Sequence, residues 1–102
     1  MAHGAPVYDH GVLYGDGCFE GIKSWDGKVF KLCEHIDRFM DSAHFLNIDI
    51  GRTREEICEL CLHTLAVNEL QQGVAYVRLV VTRGPGDLGI NPRKCKSGAT
   101  LY

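Results

Sequence analysis

The chain has 102 residues, 45% of them hydrophobic, and 11 Lys+Arg against 13 Asp+Glu give a formal net charge of -2. That length fits one domain with a modest core and is small for an enzyme that must enclose a substrate. The basic residues are scattered, so the electrostatic footprint of a nucleic-acid binder is absent, and no apolar run approaches the length of a membrane span.

The opening MAHGAPVYDH has neither a basic start nor an apolar middle, so no export signal is visible; Met1, Ala2 and His3 read equally as a native start or an appended remnant. Five cysteines, an odd number without framework-like spacing, point to reduced thiols in a cytoplasmic protein and away from a secreted disulfide scaffold.

YGDGCFEG, residues 14–21, holds three glycines in eight residues. It is not a phosphate loop of the GxxxxGK type, because no Lys-Ser/Thr pair follows and the segment leads into a strand. Alternation puts Phe19 and Gly21 on one strand face, where Gly21 leaves room beside an aromatic wall, as a small apolar pocket requires. A glycine bulge at the strand entry fits equally well.

CFEGIKSW reads as a strand, Asp26-Gly27 as a turn and KVFKL as a second strand, so residues 18–32 form a predicted β-hairpin. In LCEHIDRFMDSAHFL, Ile36, Phe39, Met40 and Ala43 share one stripe of an amphipathic helix ending near Asn47. Arg38 sits roughly 200° around that helix from Ile36. Periodicity alone exposes it, while Phe45 on the same side hints that this side faces another domain or a ligand.

Thr53 followed by Glu56 is a capping-box pattern, and Ile57, Leu60, Cys61, Leu65 and Val67 mark a second helix to about Leu70. Cys58 and Cys61 fall inside that pattern, so packing explains them more simply than a redox or metal motif. The five histidines form no ligand spacing, and His35, His44 and His63 read as helix residues. No metal site is expected, and a nucleophilic Cys/His pair has no support.

A strand over 74–83 contains YVRLVV, which puts Tyr76 and Arg78 on one face and Val77, Leu79 and Val81 on the other. A guanidinium among aliphatic residues either snorkels to water from an edge strand or meets an anion. Tyr76 beside it suits a directional carboxylate receptor. The loop GPGDLGINP follows, and ATLY begins one more apolar strand. A chain stopping inside a strand reads as a piece of a longer protein. The order strand, strand, helix, helix, strand, strand predicts an α+β fold, an antiparallel sheet with two helices packed on one face.

Taken in order, DHGVLYGDGCFEGIKSW, HIDRFMDSA and YVRLVVTRGPGDLGINP resemble the N-terminal region of class IV pyridoxal-phosphate aminotransferases, nearest the branched-chain amino acid branch. The resemblance runs from Tyr8 onward and implies a fold-type IV enzyme of two domains, active as a homodimer or higher homo-oligomer. Residues 1–102 would be its small N-terminal domain, with pyridoxal 5'-phosphate held where that domain meets the next. By matching position, Arg38 grips the cofactor phosphate. Tyr76 stands near the substrate α-carboxylate and Arg78 near the side-chain carboxylate of glutamate. Phe19 and Gly21 match pocket-wall positions, while Tyr14, Leu88 and Ile90 match positions reaching the neighbouring subunit's site.

The family chemistry needs a Schiff-base lysine and an acid pairing the pyridine nitrogen. Lys23, Lys28, Lys31, Lys94 and Lys96 do not match that lysine motif, so the chain alone is expected to be inactive and its catalytic lysine to lie in a second domain. Lys23 stands where the branch commonly has arginine, and Cys18 where an aliphatic residue is usual. The expected activity of the full-length enzyme is amino transfer between L-Leu, L-Ile or L-Val and 2-oxoglutarate. Alternatives are a D-amino-acid transaminase, an aminodeoxychorismate lyase, or a stand-alone module that binds without catalysis.

Overall fold

The computed structural model describes residues 4–102; the remnant-like opening Met1–His3 lies outside the described residues. In chain order the elements are α1 (His10–Tyr14), β1 (Gly17–Trp25), β2 (Lys28–Val29), α2 (Leu32–Phe45), α3 (Arg54–Val67), β3 (Val74–Thr82), a 3-10 turn (Pro92–Lys94) and β4 (Thr100–Leu101). The four strands form one sheet in the order β2-β1-β3-β4. Both edge pairs are antiparallel, with Ser24 opposite Val29 and Val81 opposite Leu101. No helix among the described residues is long and apolar enough to cross a membrane.

The predicted α+β architecture is present, with three local differences. The strand expected over KVFKL stops at Val29, because Lys31 takes a left-handed backbone (φ 51°) that turns the chain into α2. The second helix ends at Val67 rather than near Leu70, where Asn68 caps it and Glu69 is left-handed (φ 57°); Val67, expected on the apolar stripe, is exposed. The short helix α1 was not legible as a helix at all. It is one turn held by Asp9, whose carboxylate accepts from the Gly11 amide, and closed by left-handed Gly15.

The chain divides into two compact units. One comprises Phe19–Asp41 and Arg52–Leu79. Its core joins Ile22 of β1, Ile36 and Phe39 of α2, Ile57, Cys61 and Leu65 of α3, and Ala75 and Leu79 of β3, all buried. The helices therefore lie on the sheet face that carries Ile22 and Leu79. Thr53 and Glu56 exchange both bonds of the capping box predicted for α3.

The other unit comprises, among the described residues, 4–18, Ser42–Gly51 and Val80–Tyr102. Buried Asp9 organises it: Oδ1 accepts from Gly11 N at 2.7 Å, and Oδ2 accepts from the Thr82 and Tyr102 hydroxyls at 2.9 Å each. Gly11 is required by this closeness, since a β-carbon there would stand 2.9 Å from Thr82 Cβ. Arg83 grips Asp16 through two nitrogens and donates to the Leu46 and Asn47 carbonyls, satisfying acceptors at the end of α2.

Candidate functional site

β1 buries Glu20, Ile22 and Ser24 and turns Phe19, Gly21, Lys23 and Trp25 the other way. On β3 the same alternation exposes Tyr76 and Arg78 and buries Ala75 and Leu79. Four of the predicted substrate residues consequently meet on one face. The Arg78 guanidinium lies over the Phe19 ring, 4.2 Å from its centroid. The Tyr76 hydroxyl fills the space above Gly21, where an added β-carbon would overlap it and stand 2.7 Å from Cζ. Gly21 thus seats a phenol, a more specific requirement than the open pocket wall its sequence context suggested.

Tyr76 is 67% exposed, and Arg78 is exposed beside it. The snorkelling alternative for Arg78 accounts for that exposure, and the aromatic ring beneath accounts for its direction. No protein carboxylate engages Arg78 among the described residues, and the pair presents a phenol and a guanidinium to solvent.

Arg38 is located differently. Its Nε donates to Glu20 Oε2 at 2.8 Å and its Nη2 to Oε1 at 2.7 Å. Glu20 points from β1 to the opposite side from Phe19 and Gly21, so Arg38 does not join the Tyr76–Arg78 cluster through a direct contact. Glu20 also pairs with His35 Nδ1 at 2.8 Å. The Arg38 hydrogen bonds hold the Glu20 carboxyl below its ordinary range against the opposing effect of burial, and Glu20 in turn raises the Arg38 guanidinium. Sequence reading passed over Glu20. Strand alternation carried the signal, because it sets an acid on the same face as Ile22, where burial demands a cationic partner.

In the other unit, Tyr14 Oη accepts from the Gly89 amide at 2.5 Å, which brings Tyr14 to the loop carrying Leu88 and Ile90. Both loop residues are exposed, Ile90 to 82%. His10 stacks edge-on against Tyr14 and donates from Nε2 to the Asp87 carbonyl at 2.9 Å, and Lys94 Nζ donates to the Leu88 carbonyl at 2.9 Å. The two compact units therefore carry separate sets of candidate residues: Phe19, Gly21, Arg38, Tyr76 and Arg78 in one, and Tyr14, Leu88 and Ile90 in the other.

Cys61 is buried on α3, and burial pushes its thiol up to about 11, the opposite of what a redox-active thiolate needs. Among the described residues, no group of three or more His, Cys, Asp or Glu is arranged to hold a metal ion.

Compared with known proteins, residues 17–102 match the family model of amino-transferase class IV. A Methanocaldococcus jannaschii protein assigned as a branched-chain-amino-acid aminotransferase is 63% identical over 89 residues, which are 87% of this chain and 30% of that protein. The D-alanine aminotransferase of Staphylococcus haemolyticus is 41% identical over 76 residues, 74% of this chain and 26% of its own length. Among solved structures, the branched-chain amino acid aminotransferase from Escherichia coli superimposes with a TM-score of 0.79 at 30% identity, over 88% of this chain and 31% of that one. The chain thus spans about a third or less of the proteins it matches. Its family match runs from Gly17 to Tyr102 and takes in β1, both long helices and β3, and the chain belongs to the class IV aminotransferase family.

Proposed function

We propose that the chain is the small N-terminal domain of a branched-chain amino acid aminotransferase, which transfers an amino group between L-Leu, L-Ile or L-Val and 2-oxoglutarate. The observation that carries this reading is the exposed phenol and guanidinium of Tyr76 and Arg78, one seated over Gly21 and the other over Phe19. Tyr76 would donate its hydroxyl to the substrate α-carboxylate. Arg78 would pair with the second carboxylate of glutamate or 2-oxoglutarate, and the Phe19 ring would line the same space for a branched aliphatic side chain. The 63% identity to the Methanocaldococcus protein favours this substrate class.

Pyridoxal 5'-phosphate is the family's cofactor, and when bound it supplies the electron sink for chemistry at the substrate α-carbon. Arg38 fits a contact to its phosphate. The side chain is 70% exposed, and Glu20 engages only Nε and one N–H of Nη2, which leaves three of the five guanidinium N–H groups. A single such contact from this domain supports weak, non-covalent binding only. The Schiff-base lysine and the acid for the pyridine nitrogen would come from a second domain, so the 102-residue chain by itself would not transaminate. Tyr14, Leu88 and Ile90 would serve the site of a neighbouring subunit in a homodimer, a role supported by their clustering and by the exposure of the two loop residues.

A D-amino-acid transaminase is the second reading, favoured by the 41% identity to the Staphylococcus enzyme. Assaying the full-length protein with L-leucine and with D-alanine, each against 2-oxoglutarate, separates the two. Turnover of leucine is expected. Turnover of D-alanine with none of leucine would replace the first reading by the second.

A further inference from the structure

Glu20 is 4% exposed on a strand face otherwise given to the core. A carboxylate in that place is tolerable only if hydrogen bonds and a cation meet it. Three bonds do so: Arg38 Nε to Oε2 at 2.8 Å, Arg38 Nη2 to Oε1 at 2.7 Å, and His35 Nδ1 at 2.8 Å from Oε1. His35 and Arg38 are three residues apart on α2, so one helix face delivers both to the same carboxylate.

The bonds define which edge of the guanidinium is occupied. Glu20 takes the Nε and Nη2 side, while both N–H groups of Nη1 carry no protein acceptor among the described residues. A planar fork gripped at two points cannot rotate about its last torsions without breaking a charge-assisted bond. An arginine free in solvent would lose that rotamer freedom when it closed on an anion; here the loss has already occurred on folding.

We propose that Glu20 is a positioning residue, braced by His35, which fixes the Arg38 guanidinium so that its Nη1 edge is preset for a phosphate monoester. The inference rests on the reading of Arg38 as the cofactor-phosphate contact. Glu20 itself would touch neither cofactor nor substrate. Being buried behind the guanidinium, its negative charge lies on the far side from the incoming phosphate, which limits repulsion between the two anions.

The test is an equilibrium titration of the full-length protein with pyridoxal 5'-phosphate and, separately, with pyridoxal, which lacks the phosphate. The variants are Glu20→Gln, Arg38→Gln and the double substitution. Arg38→Gln is expected to weaken pyridoxal 5'-phosphate by roughly tenfold or more, the scale of one charge-assisted bond, and to leave pyridoxal within about twofold. Glu20→Gln is expected to weaken the phosphorylated ligand by about three- to tenfold, again without moving pyridoxal, and to add nothing in the Arg38→Gln background.

A purely structural anchor would lower thermal stability and change both ligands alike. Unchanged pyridoxal 5'-phosphate affinity in Glu20→Gln, with the loss still present in Arg38→Gln, would overturn the positioning role and leave the reading of Arg38 intact. Unchanged affinity in both variants would overturn the reading of Arg38 and the proposal with it. If Glu20→Gln does not fold, Glu20→Asp decides, since it keeps the charge but withdraws it by one methylene: a phosphate-selective loss supports the proposal and its absence overturns it.

Discussion

The Tyr76 hydroxyl occupies the space that a β-carbon on Gly21 would need. The phenol is the far end of an exposed side chain, so it can swing aside when crowded, and the backbone at Gly21 has no positive φ to strain. Gly21→Ala should therefore cost little stability, less than about 1 kcal/mol by comparison with ordinary surface substitutions. Its effect should fall on binding. In the full-length protein, KM for leucine is expected to rise by roughly tenfold as the carboxylate donor is displaced. Thermal melts and steady-state kinetics on the same preparation check both halves.

Asp9 illustrates the opposite case, a residue whose removal is felt in the fold. Its buried carboxylate accepts from the Gly11 amide and from the Thr82 and Tyr102 hydroxyls, and Asp9→Ala leaves these donors short of an acceptor. A loss of about 2–4 kcal/mol in urea denaturation is expected.

Burial, and after it the bond to the same carboxylate, pushes the Tyr102 phenol up to about 12. The folded state thus favours the protonated phenol. Its contribution to stability is complete below the ordinary tyrosine value of about 10 and is lost as pH rises through about 12. Absorbance titration at alkaline pH should include a late phenolate transition that Tyr102→Phe removes.

Acid has the reverse effect through Glu20. Arg38 hydrogen bonds hold its carboxyl below the usual value, so the stability it contributes is full above roughly pH 4.3 and is lost as pH falls through the depressed folded value. The stability difference between the native protein and Glu20→Gln should be largest near neutrality and should close in strong acid. A difference equal at pH 3 and pH 7 would mean that the ion pair does not titrate with folding.

Much of this was legible in the sequence where period and local chemistry agreed. Ile36, Phe39 and Ala43 recur at helical spacing and are buried in α2, and Thr53 with Glu56 caps α3 as their spacing required. Alternation in YVRLVV put Tyr76 and Arg78 on one face correctly. What the sequence hid were features set by backbone conformation or by distant partners. Lys31 ends β2 through a left-handed φ that its side chain does not announce. Asp9 and Tyr102 are 93 positions apart and meet only after folding. Glu20 was overlooked for a related reason: its partners His35 and Arg38 lie on α2, and the pairing depends on how helix and strand pack.

The most direct test of the account concerns Arg78, whose guanidinium lies over Phe19 beside the Tyr76 phenol. In the full-length protein, Arg78→Gln should be compared with the native enzyme for both half-reactions, with glutamate or 2-oxoglutarate on one side and leucine on the other. If Arg78 receives the second carboxylate of the dicarboxylate substrate, KM for 2-oxoglutarate rises by roughly tenfold to a hundredfold, the scale of a bond to a charged group, while leucine changes by only a few-fold. An equal loss for leucine and 2-oxoglutarate, or no loss for either, would contradict the assignment of this face as the receptor for the substrate side chain.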